Sequence, residues 1–406
     1  MKPARNWIKK YRHPIVRNLV VWATYPFVRF LYGCRPEPFR QENGRPHLVL
    51  FNHQTVFDQF FISASFRKPV YFVGTEDLFS MGFLSRIIRS FCSPIPFRKQ
   101  TGDVAAMRTM LRVAREGGTL ALAPEGNMTY SGKTETMRPA IALLVKTLKL
   151  PVALYRIDGG YGAQARWSNA IRKGVIRAGV FRVIEPEEAA RYTNGELFEE
   201  IRKSLTVSEA RDDGRRYRSN RRAEYLERVA YWCPFCGLSS FHSSGNQIFC
   251  EKCGRGVEYG EDKRLRGVDC EFPFEWYSDW YDAQQDFIRS LDPDAHRDAP
   301  LYRDTGDLLE VIVFKKKIPL RRRASIALYG DRIVFDEDTP NALVFPFSEM
   351  TGAAVQIRNK LNLHLGEDRF FQVRGGRRFN AVKYINLFYR WQALHGGRGD
   401  AGYLGF

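Results

Sequence analysis

Between residues 45 and 190 short apolar runs alternate with stretches of helical period. His47–Phe51, Val70–Val73, Thr119–Ala123, Pro151–Ile157 and Val175–Val180 read as buried or half-buried strands. Val104–Arg115 and Pro139–Leu148 read as amphipathic helices, the first stopped by Gly117 and Gly118. Strands alternating with helices predict an α/β layered domain. Residues 199–230, with Arg215, Arg216, Arg218, Arg221 and Arg222, read as one or two charged helices that connect it to the C-terminal half. Near the C-terminus the pattern turns β-like: Leu309–Phe314, Ser325–Tyr329, Arg332–Phe335, Leu343–Phe345 and Phe370–Val373, separated by Gly, Asp and Pro. An apolar helix spaced as Val382, Ile385, Phe388 or Tyr389, and Trp391 closes the region. Many short strands ended by one helix predict a small β-barrel.

The 406 residues allow two to four folded units, and 44% hydrophobic with 27% charged residues excludes a disordered, collagenous or multi-span chain. Charge is the unusual quantity. Lys+Arg number 63 against 45 Asp+Glu, a net +18, so a polyanionic partner is expected: nucleic acid, an anionic membrane surface or an acidic carrier protein. Residues 1–40 hold nine basic side chains against Glu37 alone. Within them Asn18–Val28 is an apolar run bounded by Arg17 and Arg29, too short for the about 20 residues a bilayer span needs. No small-residue cleavage site comes after it, so a secretory signal is not expected. Basic flanks with Trp22, Tyr25 and Pro26 suit a segment lying in the headgroup region. A helix packed on its own domain is the other reading.

Cys233-Pro-Phe-Cys236 and Cys250-Glu-Lys-Cys253 form two CxxC pairs, each followed by glycine. That spacing predicts a four-thiolate zinc ribbon whose metal is structural, since four sulfur ligands leave no open position. Paired disulfides are the alternative. So short a segment has little core of its own, and metal binding would supply its folding free energy.

Directly after the first strand comes Asn52-His53-Gln-Thr-Val-Phe-Asp58. Five residues apart on a helix, His53 and Asp58 would stand about 140° from one another. They meet only if His53 precedes the first turn, at the helix cap, with Asp58 one turn inside. An Asp bonded to one ring nitrogen leaves the other free to act as general base toward a substrate hydroxyl. Further along come Pro94-Ile-Pro-Phe-Arg98, Ala123-Pro-Glu-Gly-Asn-Met-Thr129 and Leu150-Pro-Val-Ala-Leu-Tyr155. With these four blocks in order, residues 15–205 resemble the glycerolipid acyltransferase family, which includes 1-acylglycerol-3-phosphate acyltransferase. The resemblance implies that His53 is the base and Asp58 its orienting partner. It implies that Arg98 contacts the acceptor's phosphate and that Glu125, Gly126 and Asn127 help hold the acceptor. One position departs: the family usually carries Arg two residues after that glycine, where this chain has Met128. Either another cation such as Lys133 or Arg138 replaces it, or the acceptor is not an ordinary lysophosphatidate.

The expected organisation is a basic membrane-surface segment (1–40), an acyltransferase domain (41–205), a charged helical connector (206–230), a zinc ribbon (231–260), a linker with a short helix (261–299), a β-rich pleckstrin-like domain (300–394) and a tail. In that β-rich domain Lys315–Lys317 and Arg321–Arg323 would sit on a loop able to meet anionic headgroups. The expected activity is acyl transfer from acyl-CoA or acyl-carrier protein to a lysophospholipid hydroxyl, at the cytoplasmic face of a membrane, with nucleic acid an unexpected partner. The rival is a catalytically inactive zinc-ribbon and barrel protein that binds anionic lipid or nucleic acid.

Overall fold

The computed structural model describes residues 7–8, 12–40, 43–75, 79, 83–97, 104–312, 316–366 and 369–396. The chain forms two compact units: Met1–Ala165, Ile171–Glu209 and Arg215–Tyr217 make the first, and Arg166–Ala170, Ala210–Gly214 and Arg218–Phe406 the second.

In the first unit the elements are α1 (Arg12–Phe30), β1 (Leu48–Phe51), α2 (Asp58–Ser65), β2 (Val70–Thr75), α3 (Phe83–Phe91), β3 (Ile95–Phe97), α4 (Val104–Arg115), β4 (Thr119–Leu122), α5 (Ala140–Leu148), β5 (Val152–Asp158), α6 (Gly160–Ala163), β6 (Arg177–Ile184), α7 (Pro186–Arg191) and α8 (Asn194–Leu205). The sheet runs β3-β2-β4-β1-β5-β6 and is parallel except for β6, which pairs antiparallel with β5. Its central strand is apolar at all four positions because helices cover both faces. Leu48 and Leu50 join the core with Met110, Val113, Ile141 and Leu197 from α4, α5 and α8. Val49 and Phe51 join the opposite core with Val28 of α1 and Phe61 and Ile62 of α2. The period of two thus sorts one strand's side chains into two layers, each buried leucine contributing about 1.5–3 kcal/mol. Helix α8 begins on a reciprocal capping box between Thr193 and Glu196.

The predicted helical connector is corrected. After α8 ends at Leu205, the one helical turn before residue 231 among the described residues is the 3-10 turn Leu226–Arg228. The charges there do not line a helix: Arg215 pairs with Asp158, and within the same unit the Glu209 N–H donates to the Gly132 carbonyl while its buried carboxylate accepts from the Gly159 N–H.

The second unit contains β7 (Trp232–Cys233), β8 (Gly237–Leu238), β9 (Phe241–Ser244), β10 (Gln247–Cys250), β11 (Gly256–Tyr259), β12 (Leu265–Val268), α9 (Tyr277–Ser290), β13 (Tyr302–Ile312), β14 (Lys316–Leu328), β15 (Arg332–Phe335), β16 (Leu343–Pro346), β17 (Met350–Gln356), β18 (Lys360–Leu365), β19 (Arg369–Gly375) and α10 (Val382–Leu394). A four-stranded sheet β12-β11-β10-β9 comes after the β7–β8 hairpin. Helix α9 packs on it through Trp280, whose ring lies 5.5 Å from Phe241 and whose Nε1 donates to the Trp232 carbonyl at 2.9 Å. The cysteine-bearing segment therefore has a core partner of its own, and metal is not its sole source of folding energy.

The last seven strands run β16-β15-β14-β13-β19-β18-β17. The sheet is curved, and among the described residues no strand pairing joins β16 to β17, so closure of the expected barrel is not shown. The edges β16 and β17 are joined by the short 3-10 turn Phe347–Glu349, and α10 packs there, with Phe388 5.5 Å from Phe347 and the Tyr389 hydroxyl donating to the Ala353 carbonyl. Register shifts at Gly306–Leu309, opposite Arg323 at φ +50°, bend the β13–β14 pair. Lys316, Lys317 and Arg321–Arg323 lie on β14 and not on a loop; Lys315 falls outside the described residues.

Candidate functional site

Strands β1, β4 and β5 are neighbours, so their C-terminal ends open onto one place, where α/β sheets present ligand groups. At the end of β1 the Asn52 amide donates to the Ile157 carbonyl at 2.7 Å and accepts from the Ile157 N–H at 2.8 Å. This reciprocal pair anchors the loop after β1 to the tip of β5.

His53 comes next, five residues before α2. Helix α2 starts at Asp58 itself with Phe57 at its cap, which corrects the expectation of His53 at the cap and Asp58 one turn inside. An acidic side chain there is favoured by the helix dipole. Asp58 is fully buried and accepts four hydrogen bonds: from His53 Nδ1 at 2.8 Å, Gln54 N at 2.8 Å, Thr55 N at 2.9 Å and Thr55 Oγ1 at 2.8 Å. A carboxylate so engaged acts as acceptor only, so Nδ1 carries the ring proton and Nε2 keeps its lone pair. The His53 side chain is 27% exposed, enough for a substrate hydroxyl to reach it.

Glu125 lies just after β4 and is fully buried. Its Oε1 accepts from the His53 N–H at 3.0 Å and its Oε2 from the Glu135 N–H at 2.9 Å. Burial outweighs those two N–H donors and pushes its carboxyl up to about 8. Gly126 completes the turn, its N–H donating to the Ala123 carbonyl at 3.0 Å. Asn127 is half-buried and Met128 buried, while Lys133 and Arg138 are exposed. The predicted Arg98 lies outside the described residues. The structure thus brings His53, Asp58 and Glu125 together. It adds Asn52, Thr55 and Glu135, for which only the nearness of Asn52 and Thr55 to the His–Asp spacing is a signal.

The cysteines form a separate cluster in the second unit. The Sγ atoms of Cys233, Cys236, Cys250 and Cys253 all lie within 4.8 Å of one another. Cys233 and Cys253 are 3.7 Å apart, and Cys236 and Cys250 3.6 Å. A tetrahedron with metal–sulfur bonds of about 2.3 Å has edges of about 3.8 Å, so the donor set fits zinc. Backbone N–H groups of Phe235 and Cys236 point at Cys233, and those of Lys252 and Cys253 at Cys250. Gly237 and Gly254 take φ +80° and +74°, the left-handed turn each knuckle needs.

Residues 35–154 match the family model described as Acyltransferase. The matched stretch lies in the α/β unit and contains His53, Asp58 and Glu125. Among solved structures, the 1-acyl-sn-glycerophosphate (LPA) acyltransferase of Thermotoga maritima is similar at 17% identity and a TM-score of 0.41, over 49% of this chain and 81% of that one. No curated protein matches the chain.

Proposed function

We propose that the first unit transfers a fatty acyl group from a thioester, acyl-CoA or acyl-carrier protein, to the free hydroxyl of a lysophospholipid, with 1-acylglycerol-3-phosphate the first acceptor to test. The observation that carries this reading is the His53–Asp58 pair, 2.8 Å between Nδ1 and Oδ2, from which the proton is assigned to Nδ1 and the lone pair to Nε2. Nε2 takes the hydroxyl proton as the oxygen attacks the thioester carbonyl carbon. The C–O ester bond forms, the C–S bond breaks, and the departing thiolate takes the proton from Nε2. The donor is already activated, so a positioned base and a bound acceptor suffice without a covalent enzyme intermediate. Glu125, with both oxygens on backbone N–H groups, holds the loop that carries His53. Direct contact with the acceptor falls to the residues beyond it, Gly126 and Asn127, and to Arg98. The four cysteines hold a structural zinc.

The membrane side of the reading rests on α1. Ile15, Leu19, Trp22, Tyr25 and Phe30 all stand exposed on that helix, Trp22 to 78%. Spacings of three, four and eight residues put Ile15, Leu19, Trp22 and Phe30 on one stripe. Arg12 and Arg29 on the same helix supply charge complementary to anionic headgroups. No helix among the described residues is long and apolar enough to cross a membrane. A stripe of this kind fits a helix lying on the bilayer that supplies the acceptor. Turnover of a panel of lysolipids with both donors, by the wild type and by His53→Ala, tests the reading. It fails if the variant keeps wild-type turnover.

A further inference from the structure

The matched family segment stops inside β5, yet the floor under the catalytic loop lies beyond it. Gly160, the first residue of α6, is in such close contact that a β-carbon there would come within 2.6 Å of Gln54 Cβ and 3.2 Å of Thr55 Cγ2. Gln54 and Thr55 are the two residues whose N–H groups hold Asp58. Whatever fixes α6 therefore bears on the His53–Asp58 geometry.

Glu209 fixes it. Its carboxylate is buried and accepts three backbone N–H groups: Gly159 at 2.8 Å and Gly160 at 3.1 Å on Oε1, and Gly162 at 3.1 Å on Oε2. Its own N–H donates to the Gly132 carbonyl at 2.9 Å, in the loop after β4. Two neighbours along the chain reinforce the hold. Arg215 forms a two-pronged ion pair with Asp158, at 3.1 and 2.7 Å. The Tyr217 ring fills the space beside two glycines: a β-carbon on Gly162 would lie 2.1 Å from it and one on Gly174 2.5 Å. Removing the Glu209 carboxylate takes the acceptor from three buried donors at once, which costs more than the bonds themselves contribute.

We propose that Glu209 is a positioning residue for catalysis: bound to the start of α6, it holds Gly160 against Gln54 and Thr55 and so keeps Asp58 and His53 in register. The inference rests on the acyl-transfer reading for its kinetic consequence but not for its geometric one. A one-ångström displacement of a base costs about 10²-fold, so loosening this floor acts on turnover and leaves substrate binding largely alone.

The test uses the full chain in four forms: wild type, Glu209→Gln, Asp158→Asn and Leu197→Ala. Leu197, buried in the α8 core, gives a destabilised control. Each is measured by thermal melting, by steady-state kinetics with acyl-CoA and 1-acylglycerol-3-phosphate, and by the NMR titration midpoint of the His53 ring, assigned by its disappearance in His53→Ala. The expected result for Glu209→Gln is a kcat about 10–100-fold lower, KM within about twofold, and a His53 midpoint moved by about half a pH unit. Asp158→Asn moves both in the same direction by less, and Leu197→Ala moves neither below its melting temperature. If Glu209→Gln does not fold, Asp158→Asn alone decides. The inference is overturned if the folded variants keep both kcat and midpoint, or if kcat falls while the midpoint stays. Should the wild type turn over no lysolipid, the acyl-transfer reading fails, and the midpoint still decides whether Glu209 positions His53.

Discussion

The two chemical clusters are assembled in opposite ways. The cysteine cluster takes all its donors from residues 233–253, on two glycine-ended knuckles that each complete themselves. The His–Asp cluster takes its parts from the ends of three strands and from Glu209: residues 52–58, 125–135 and 157–160 must arrive together before any of them is in place. A local cluster can be strong because an ion holds it. A distributed one must be held by buried hydrogen bonds, and in this chain backbone N–H groups meeting carboxylates do most of that holding. Asp58, Glu125 and Glu209 are all buried acids whose oxygens end on N–H donors.

Single substitutions should separate the two modes of assembly. The largest effect is expected from His53→Ala: acyl-transfer turnover drops about 10²–10⁴-fold while the melting temperature hardly moves, since the ring is partly exposed. Cys236→Ser or a strong chelator does the reverse. Bound zinc, measured by elemental analysis, falls from about one per chain to none, and the second unit loses on the order of 4 kcal/mol in a denaturant melt. That is less than an isolated zinc finger loses, because α9 already packs on the sheet. Acyl transfer in the folded variant stays near wild type. Glu125→Gln is expected to cost about 1–3 kcal/mol at pH 5, because one of the two N–H groups then faces an amide NH₂. Its pH dependence sharpens the point. The folded carboxyl titrates near 8 and the unfolded one near 4.5, so the stability tied to the Glu125 proton is fully present below about 4.5 and is lost as pH rises through 8. Urea melts of wild type and variant should therefore converge toward pH 9. The smallest effect is Trp22→Ala, with about tenfold weaker binding to anionic vesicles and unchanged turnover of a detergent-dispersed acceptor.

Legibility in the sequence runs along the same divide. Strands β1, β4 and β5 are continuous apolar runs buried on both faces, and helices α4 and α10 begin at Val104 and Val382 as the periodicity places them. The CxxC pairs and the His–Asp spacing are short-range patterns and are readable. Strand β17 is not, because Met350-Thr-Gly-Ala-Ala-Val-Gln356 is rich in small residues and carries little β-branched signal. Helix α9 reads only as a short helix, since its Tyr, Trp, Asp and Ser residues have modest helix propensity and its stability comes from Trp280 and the sheet beneath. The connector misleads because clustered arginines look like a solvated helix face. No pattern marks Glu209 as the partner of glycines some 50 residues away.

Glu125 also shares the holding of its own loop with Glu209. By clasping residue 53 with one oxygen and residue 135 with the other, it staples the base of a loop that is tied a second time at Gly132, whose carbonyl receives the Glu209 N–H. A change in the length of that span therefore pulls on Glu209 as well as on Glu125, and reaches the proton-accepting nitrogen by two routes. Met128 sits buried between the two tethers, so the one position that departs from the resemblance lies in a part of the loop that both glutamates hold.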